Sequence, residues 1–126
     1  MIIGRSGSLR RPNESREIQA YEGGATRSLL AERYDLVPRE AIEALGRRLA
    51  LGATIHGENN WRQGGEEFRR ATINHLIRHL LDYMESGNQT DMNTDAIICN
   101  AAFLCYFEAQ ALKQQASDPA GEERHI

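Results

Sequence analysis

The sequence predicts an all-α protein built as a helical bundle. Three segments repeat apolar residues at helical spacing, and no segment alternates apolar and polar residues as a half-buried strand does. The third segment is apolar on nearly every side between residues 96 and 107. A helix with no polar face belongs in the middle of a bundle or an oligomer, so we expect a homodimer or a homotetramer.

Composition changes along the chain divide it into three parts. Residues 1–33 are rich in Gly, Ser, Arg and Glu without any period, which predicts an irregular N-terminal arm. Residues 34–115 contain the helical pattern and form the predicted domain. The polar residues 116–126 are expected to be a flexible tail.

The three helices of the domain have recognisable ends. The first is predicted over residues 38–55, because a proline suits the first helical turn. The second begins near residue 66, where two acids favour the helix dipole, and ends at residue 86 before Gly87. The third is predicted over residues 95–113.

The composition excludes several classes of protein. The chain has 126 residues, enough for one compact domain, and a net charge of -3 from 15 basic and 18 acidic residues. This balance provides no long-range field for nucleic acid or an anionic membrane, although the arm carries several arginines. No apolar run suits a secretory signal or a membrane span, and Cys99 and Cys105 lie in the most apolar segment. We therefore expect a cytoplasmic protein with reduced, buried cysteines.

The second helix presents two opposite faces. At 100° per residue, one face is apolar and is predicted to be buried; it contains Ile73, Leu76, Ile77, Leu80, Leu81 and Met84. The other face carries His75, Arg78, His79, Asp82 and Glu85. The simplest interpretation is that this second face is solvated, with an ion pair between Arg78 and Asp82. A zinc site at His75 and His79 is disfavoured, since no third ligand is evident.

Carboxylates give the polar face a second interpretation. Antiparallel packing of the second and third helices is expected to bring Asp95 towards Asp82 and Glu85, with Asp91 in the turn between them. Converging carboxylates repel one another unless a cation lies among them, and Mg²⁺ prefers oxygen ligands. The alternatives are that Asp91 caps the third helix and that Asp95 interacts with its dipole.

The order of several motifs resembles a known family. The chain carries "GGATRS", "RYDLVPREAIEAL", "GATIHGENNWRQG", "INHLIRHLLDYMESG" and "NAAFL" in this order. Over about residues 23–108 it resembles the phage-associated dATP/dGTP pyrophosphohydrolases, a MazZ-like branch of the all-α, MazG-like nucleoside triphosphate pyrophosphatases. The resemblance implies a MazG-like bundle that binds Mg²⁺, for which Mn²⁺ substitutes, and that acts in the cytoplasm of the host if the chain is phage-encoded.

The resemblance also implies a reaction and a set of residues. Such enzymes cleave the bond between the α- and β-phosphates of a nucleoside triphosphate and release a monophosphate and pyrophosphate. The closest matches to their acidic motifs are Asp82-Tyr-Met-Glu85 and Met92-Asn-Thr-Asp95, with Asp91 displaced by one position. The expected metal ligands are therefore Asp82, Glu85, Asp91 and Asp95. His79 and Asp82 are the expected catalytic residues, with His79 orienting water or contacting phosphate.

Substrate-binding residues are expected on the second helix and in the turn before it. Arg78 suits a bidentate contact with phosphate oxygens, and Arg62 is a further candidate. Trp61 and Asn60 suit a purine pocket, since an indole stacks on a base and amides bind its edge; dGTP is favoured over dATP. The alternative for Trp61 is a core anchor. The alternative for the protein is a non-enzymatic helical interaction module, which Mg²⁺ and dGTP would not affect.

Overall fold

The computed structural model describes residues 17–117, which divide into two compact units after Pro38. The first sixteen residues of the predicted arm and nearly all of the predicted tail lie outside the described residues. The structure is mostly helical, which confirms the predicted all-α class.

The first unit contains a small hairpin that the sequence did not predict. Strand β1 (Ile18–Ala20) pairs antiparallel with β2 (Thr26–Ser28), with Ile18 opposite Ser28. Gly23 and Gly24 adopt φ values of 89° and 96°, which side-chain-bearing residues rarely adopt, and so turn the chain between the strands. The expectation of a wholly irregular arm is therefore wrong at these residues. Three-residue strands are too short for an alternating pattern to show.

The second unit consists of three helices, α1 (Arg39–His56), α2 (Glu66–Ser86) and α3 (Asn93–Ser117). The predicted bounds of α1 and α2 are correct to within one residue. Helix α3 begins two residues earlier than predicted and ends four residues later. Its start is fixed by a side chain in the preceding turn, since the Asn88 Oδ1 accepts a hydrogen bond from the Thr94 backbone N–H at 3.0 Å.

Helix α3 lies in the middle of this unit. It packs against both α1 and α2, whereas α1 and α2 hardly touch each other. Ala96 and Cys99 of α3 are buried, as is Ala44 of α1. The prediction that the apolar third helix occupies the centre is therefore confirmed, and an open groove is left between α1 and α2.

The two faces of α2 are placed differently from the expectation. Thr72 and His79 are the buried residues of this helix. Much of the apolar face is exposed within one chain, and we call its exposed part the apolar stripe: Ile77, Leu80, Leu81 and Met84, with 43–79% of each residue exposed. Periodicity identified an apolar face correctly, but the contact with α3 is made by a neighbouring face whose polar groups are hydrogen-bonded.

The cysteines are both free, and only one of them is buried. Cys99 has 4% of its surface exposed, as expected. Cys105 is exposed, so the prediction of burial is wrong for this residue. Among the described residues, no helix has the length and apolar character that a membrane span requires.

An ion pair fixes α1 to the start of α3. The guanidinium of Arg47 donates two hydrogen bonds to the Asp95 carboxylate, from Nε to Oδ2 at 2.8 Å and from Nη2 to Oδ1 at 2.9 Å. Asp95 is almost completely buried, whereas the Arg47 side chain is half exposed. The bidentate pair holds the pKa of Asp95 below its usual range. Asp95 is also in the first turn of α3, where a negative charge favours the dipole.

We expect Asp95→Asn to lower the melting temperature at neutral pH, because the amide cannot provide the charge that holds Arg47. Asp91→Asn is the matched control, since Asp91 is exposed and should contribute little. The folded pKa of Asp95 is depressed, so its stabilisation is complete above the unfolded pKa of about 3.9 and disappears as the pH falls through the folded pKa. Thermal unfolding at decreasing pH should show the difference in melting temperature between wild type and variant becoming smaller. Equal melting temperatures at neutral pH would contradict this account.

Candidate active site

The groove between α1 and α2 contains a cavity of about 590 Å³. Its walls come from the second half of α1 and from α2 between Phe68 and His79, and α3 provides the floor between Cys99 and Phe103. The turn from Gly57 to Arg62 closes one end. The cavity has the size of a typical small-molecule site, and its walls are largely apolar.

The charged and titratable side chains that line the cavity are mostly basic. The arginines and histidines are Arg48, Arg62, His56, His75 and His79, the single carboxylate is Glu58, and the Cys99 thiol also lines the cavity. Arg48 is the best placed of the cations, because its guanidinium makes no hydrogen bond to a residue within 17–117 and its nearest acid, Asp91, is 3.9 Å away. Its donors are therefore available to an anion.

His79 is the most deeply buried histidine of the cavity lining, with 6% of its surface exposed. Its Nδ1 lies 2.8 Å from the Oδ1 of Asn93, the first residue of α3. Asn93 is completely buried, and its Nδ2 donates to the backbone carbonyl of Gly87 at 2.8 Å. The imidazole is therefore held in place by a residue that has no exposed surface.

The turn after α1 is anchored by an aromatic cluster. Trp61 stacks on Phe103 with ring centroids 4.4 Å apart, and it meets the edge of Tyr106 at 4.9 Å. The guanidinium of Arg62 lies over the Trp61 ring, 4.7 Å from its centroid. The indole thus anchors the turn to α3, in line with the alternative role of an anchor, although it also lines the cavity.

Asn60 and Asn59 have different surroundings in this turn. Asn59 adopts φ 60° and accepts a hydrogen bond from Arg62 Nε at 3.0 Å. Asn60 also lines the cavity, and its carboxamide makes no hydrogen bond to any residue in the described part of the chain. Of the two amides, Asn60 is the one free to bind a ligand.

Gly64, at the end of the turn, lies too close to Phe68 to carry a side chain. A Cβ at this position would overlap the side chain of Phe68, which lies in the first turn of α2 and contacts the aromatic cluster. The absence of a side chain therefore allows the turn to pass directly over Phe68.

A family model described as dATP/dGTP diphosphohydrolase, N-terminal, matches residues 22–118. The chain therefore belongs to this family. It is a nucleotide diphosphohydrolase, an enzyme that acts on an acid anhydride bond. The resemblance to the dATP/dGTP pyrophosphohydrolases noted in the sequence is confirmed. No curated protein and no solved structure matches the chain.

The carboxylates expected to bind metal in this diphosphohydrolase do not converge within one chain. Within residues 17–117 no group of three or more His, Cys, Asp or Glu side chains is arranged to hold a metal ion. Asp95 directs both oxygens to Arg47, and the Asp91 Oδ1 accepts a hydrogen bond from the Met92 N–H. Asp82 and Glu85 lie on α2. The described residues of a single chain therefore bring no three of these carboxylates together around one ion.

Arg78 and Asp82 form the ion pair that the sequence indicated, with Nε and Oδ2 3.4 Å apart. Both side chains are substantially exposed, so the pair contributes little to stability. Neither residue lines the cavity. The roles of Arg78 in substrate binding and of Asp82 in catalysis stay predictions.

Two residues at the site were not singled out from the sequence. Arg48 lies at helical spacing from Ala41 and Ala44, on the inward face of α1. A charged residue on an otherwise apolar face is the sequence signal that could have identified it. Asn93 had no comparable signal. It lies in a polar turn, and only the fold brings it against His79.

Proposed function

We propose that the chain hydrolyses a purine deoxynucleoside triphosphate, dGTP or dATP, in the cavity between α1 and α2, to the monophosphate and pyrophosphate. The observation that carries this proposal is a cavity that combines apolar walls with two arginines and a buried, bonded histidine. The family establishes a nucleotide diphosphohydrolase. The bond that is cleaved, the preferred base and the metal requirement are parts of the proposal.

The phosphates belong at the basic side chains of the cavity. A triphosphate carries up to about four negative charges, and arginine binds such oxyanions through paired N–H donors. Arg48 is held by no hydrogen bond, whereas Arg62 rests on Trp61 and bonds Asn59. We assign the principal phosphate contact to Arg48 and a supporting contact to Arg62.

The base belongs near the turn that ends with Trp61. The free carboxamide of Asn60 offers a donor and an acceptor, which match the O6 and N1–H of guanine. A site that bonds these groups discriminates strongly against a base that lacks them. This complementarity supports a purine base, and of the two purine substrates we propose dGTP. Trp61 holds the turn in place through its stack on Phe103.

We retain a requirement for Mg²⁺, or for Mn²⁺ in its place, as part of the proposal. A divalent cation bound to the triphosphate would neutralise its charge and favour attack on phosphorus. Asp82, Glu85 and Asp91 are the predicted ligands whose carboxylates are not committed to a buried pair, although Asp82 contacts the exposed Arg78 and Asp91 lies 3.9 Å from Arg48. Removal of divalent ions with a chelator should abolish turnover, and Mg²⁺ should restore it.

We also propose that the chain assembles as a homodimer or homotetramer through the apolar stripe of α2. Four large apolar side chains lie next to one another there and are largely exposed in one chain. A contiguous apolar surface of this kind is typical of a protein interface, and a second copy is the partner that presents a matching surface.

The reaction products test the proposal. We expect dGTP to yield dGMP and intact pyrophosphate, with dATP hydrolysed more slowly and dCTP and dTTP poorly, because Asn60 binds the edge of a purine. Chromatography of the products from the four deoxynucleotides measures both points. Equal turnover of all four contradicts the assignment of Asn60, and release of orthophosphate contradicts cleavage between the α- and β-phosphates.

Arg48→Ala should raise KM for dGTP about tenfold, because a charge-assisted hydrogen bond contributes about 1.5–3 kcal/mol. Arg70→Ala is the matched control, since Arg70 is an exposed arginine of α2 that bonds Glu66 outside the cavity. Steady-state kinetics should show the effect in the Arg48 variant alone. Equal KM values for the two variants would place the phosphates elsewhere.

Ile77→Glu should dissociate the oligomer, because it places a charge within the apolar stripe. Ile42→Glu is the matched control, an exposed isoleucine on α1. Light scattering at micromolar concentration should give an oligomer for the wild type and the control, and a monomer for Ile77→Glu. A monomeric wild type contradicts the proposed assembly.

A further inference from the structure

The orientation of the Asn93 carboxamide is determined by its surroundings. Asn93 is completely buried, and its Nδ2 lies 2.8 Å from the Gly87 carbonyl oxygen. A carbonyl oxygen only accepts hydrogen bonds, so the amide nitrogen must face Gly87 and the amide oxygen must face His79. The opposite orientation would place two oxygens together in the interior and leave a buried donor without a partner.

This orientation fixes the tautomer of His79. The Asn93 Oδ1 only accepts hydrogen bonds, so the His79 Nδ1 at 2.8 Å must carry a hydrogen. A neutral imidazole has one N–H group, and its other nitrogen then carries a lone pair. In neutral His79 the lone pair is therefore on Nε2.

The Nε2 atom has access to the cavity. It has no hydrogen-bond partner among residues 17–117, yet every fully buried side-chain nitrogen and oxygen in that part of the chain has one. Nε2 is therefore not fully buried, although the residue has only 6% of its surface exposed. His79 lines the cavity, so we place the exposed part of Nε2 there.

We propose that Asn93 is a positioning residue, which holds His79 so that Nε2 accepts a hydrogen bond, and then a proton, from a water molecule in the cavity. The inference rests on the proposed function. It distinguishes the two roles considered for His79: a lone pair attracts the O–H of water and repels a phosphate oxygen, so the neutral side chain acts on water rather than on phosphate.

The resulting step is balanced. The water oxygen forms a bond to the α-phosphorus while its proton passes to Nε2, and the bond from the α-phosphorus to the bridging oxygen breaks. The electron pair of that bond leaves with pyrophosphate, and His79 later releases its proton to solvent. The backbone of Gly87 and the side chain of Asn93 keep the imidazole in this orientation throughout.

The tautomer is measured directly on the full chain without nucleotide. Nitrogen-15 spectra of the histidine rings, with His79 assigned by comparison with His79→Gln, should show the N–H on Nδ1 and none on Nε2 at a pH where the ring is neutral. An N–H on Nε2 overturns the inference.

The role of Asn93 is tested by two alanine variants at the start of α3. Asn93→Ala should give a mixture of tautomers and lower kcat at least tenfold with KM nearly unchanged, since a positioned general base contributes about 10²–10⁴-fold. Asn88→Ala is the control, because Asn88 bonds Thr94 at the same helix end without contacting His79. It should retain the tautomer and kcat. Equal losses of kcat in both variants would mean that Asn93 only stabilises the helix.

Two further outcomes separate this inference from the proposed function. If Asn93→Ala does not fold, Asn93→Asp keeps an acceptor opposite Nδ1 and should keep the N–H there; an N–H on Nε2 in that variant overturns the inference. Wild-type turnover of dGTP with the N–H on Nε2 overturns the inference alone. Absence of any nucleotide turnover overturns the proposed function and the catalytic role of His79 with it, while the spectra still decide the tautomer.

Discussion

Two buried polar side chains at the start of α3 connect it to both of the other helices, and the groove depends on them. Asp95 holds Arg47 of α1, and Asn93 holds His79 of α2. Residues two positions apart on a helix point in directions about 200° apart, so these side chains face opposite neighbours. Because α1 and α2 are each attached to α3 and hardly to each other, the space between them stays open.

The same arrangement gives the cavity its chemistry. Burial of a polar group is tolerated only when it is hydrogen-bonded, and the bonds of Asn93 satisfy this requirement while they orient His79. At the other end, the stack of Trp61 on Phe103 fixes the turn that carries Asn60. A basic cavity between two fixed ends suits an anionic ligand with an apolar, hydrogen-bonding base, which agrees with membership of the dATP/dGTP diphosphohydrolases.

Local signals in the sequence were sufficient for the helices but not for their partners. Gly87 marks the end of α2 because its positive φ favours glycine, so the residue type itself is the local signal. The partner of Asp95 is 48 positions away in the sequence, and no local pattern identifies it. Helical periodicity likewise separated the faces of α2, but it carries no information on which face meets α3 and which stays exposed in one chain. His79 was expected at the site from its motif, whereas Asn93 is brought to it only by the fold.

The most direct test of the account is to locate the bound nucleotide. Backbone amide shifts should be recorded for the full chain with a dGTP analogue that carries an imido group between its α- and β-phosphates and so resists cleavage there. The account predicts that the large shifts lie around the cavity, at Arg48, Asn60 and His79. Shifts concentrated instead at Arg78 and Glu85, with the cavity residues unchanged, would contradict it.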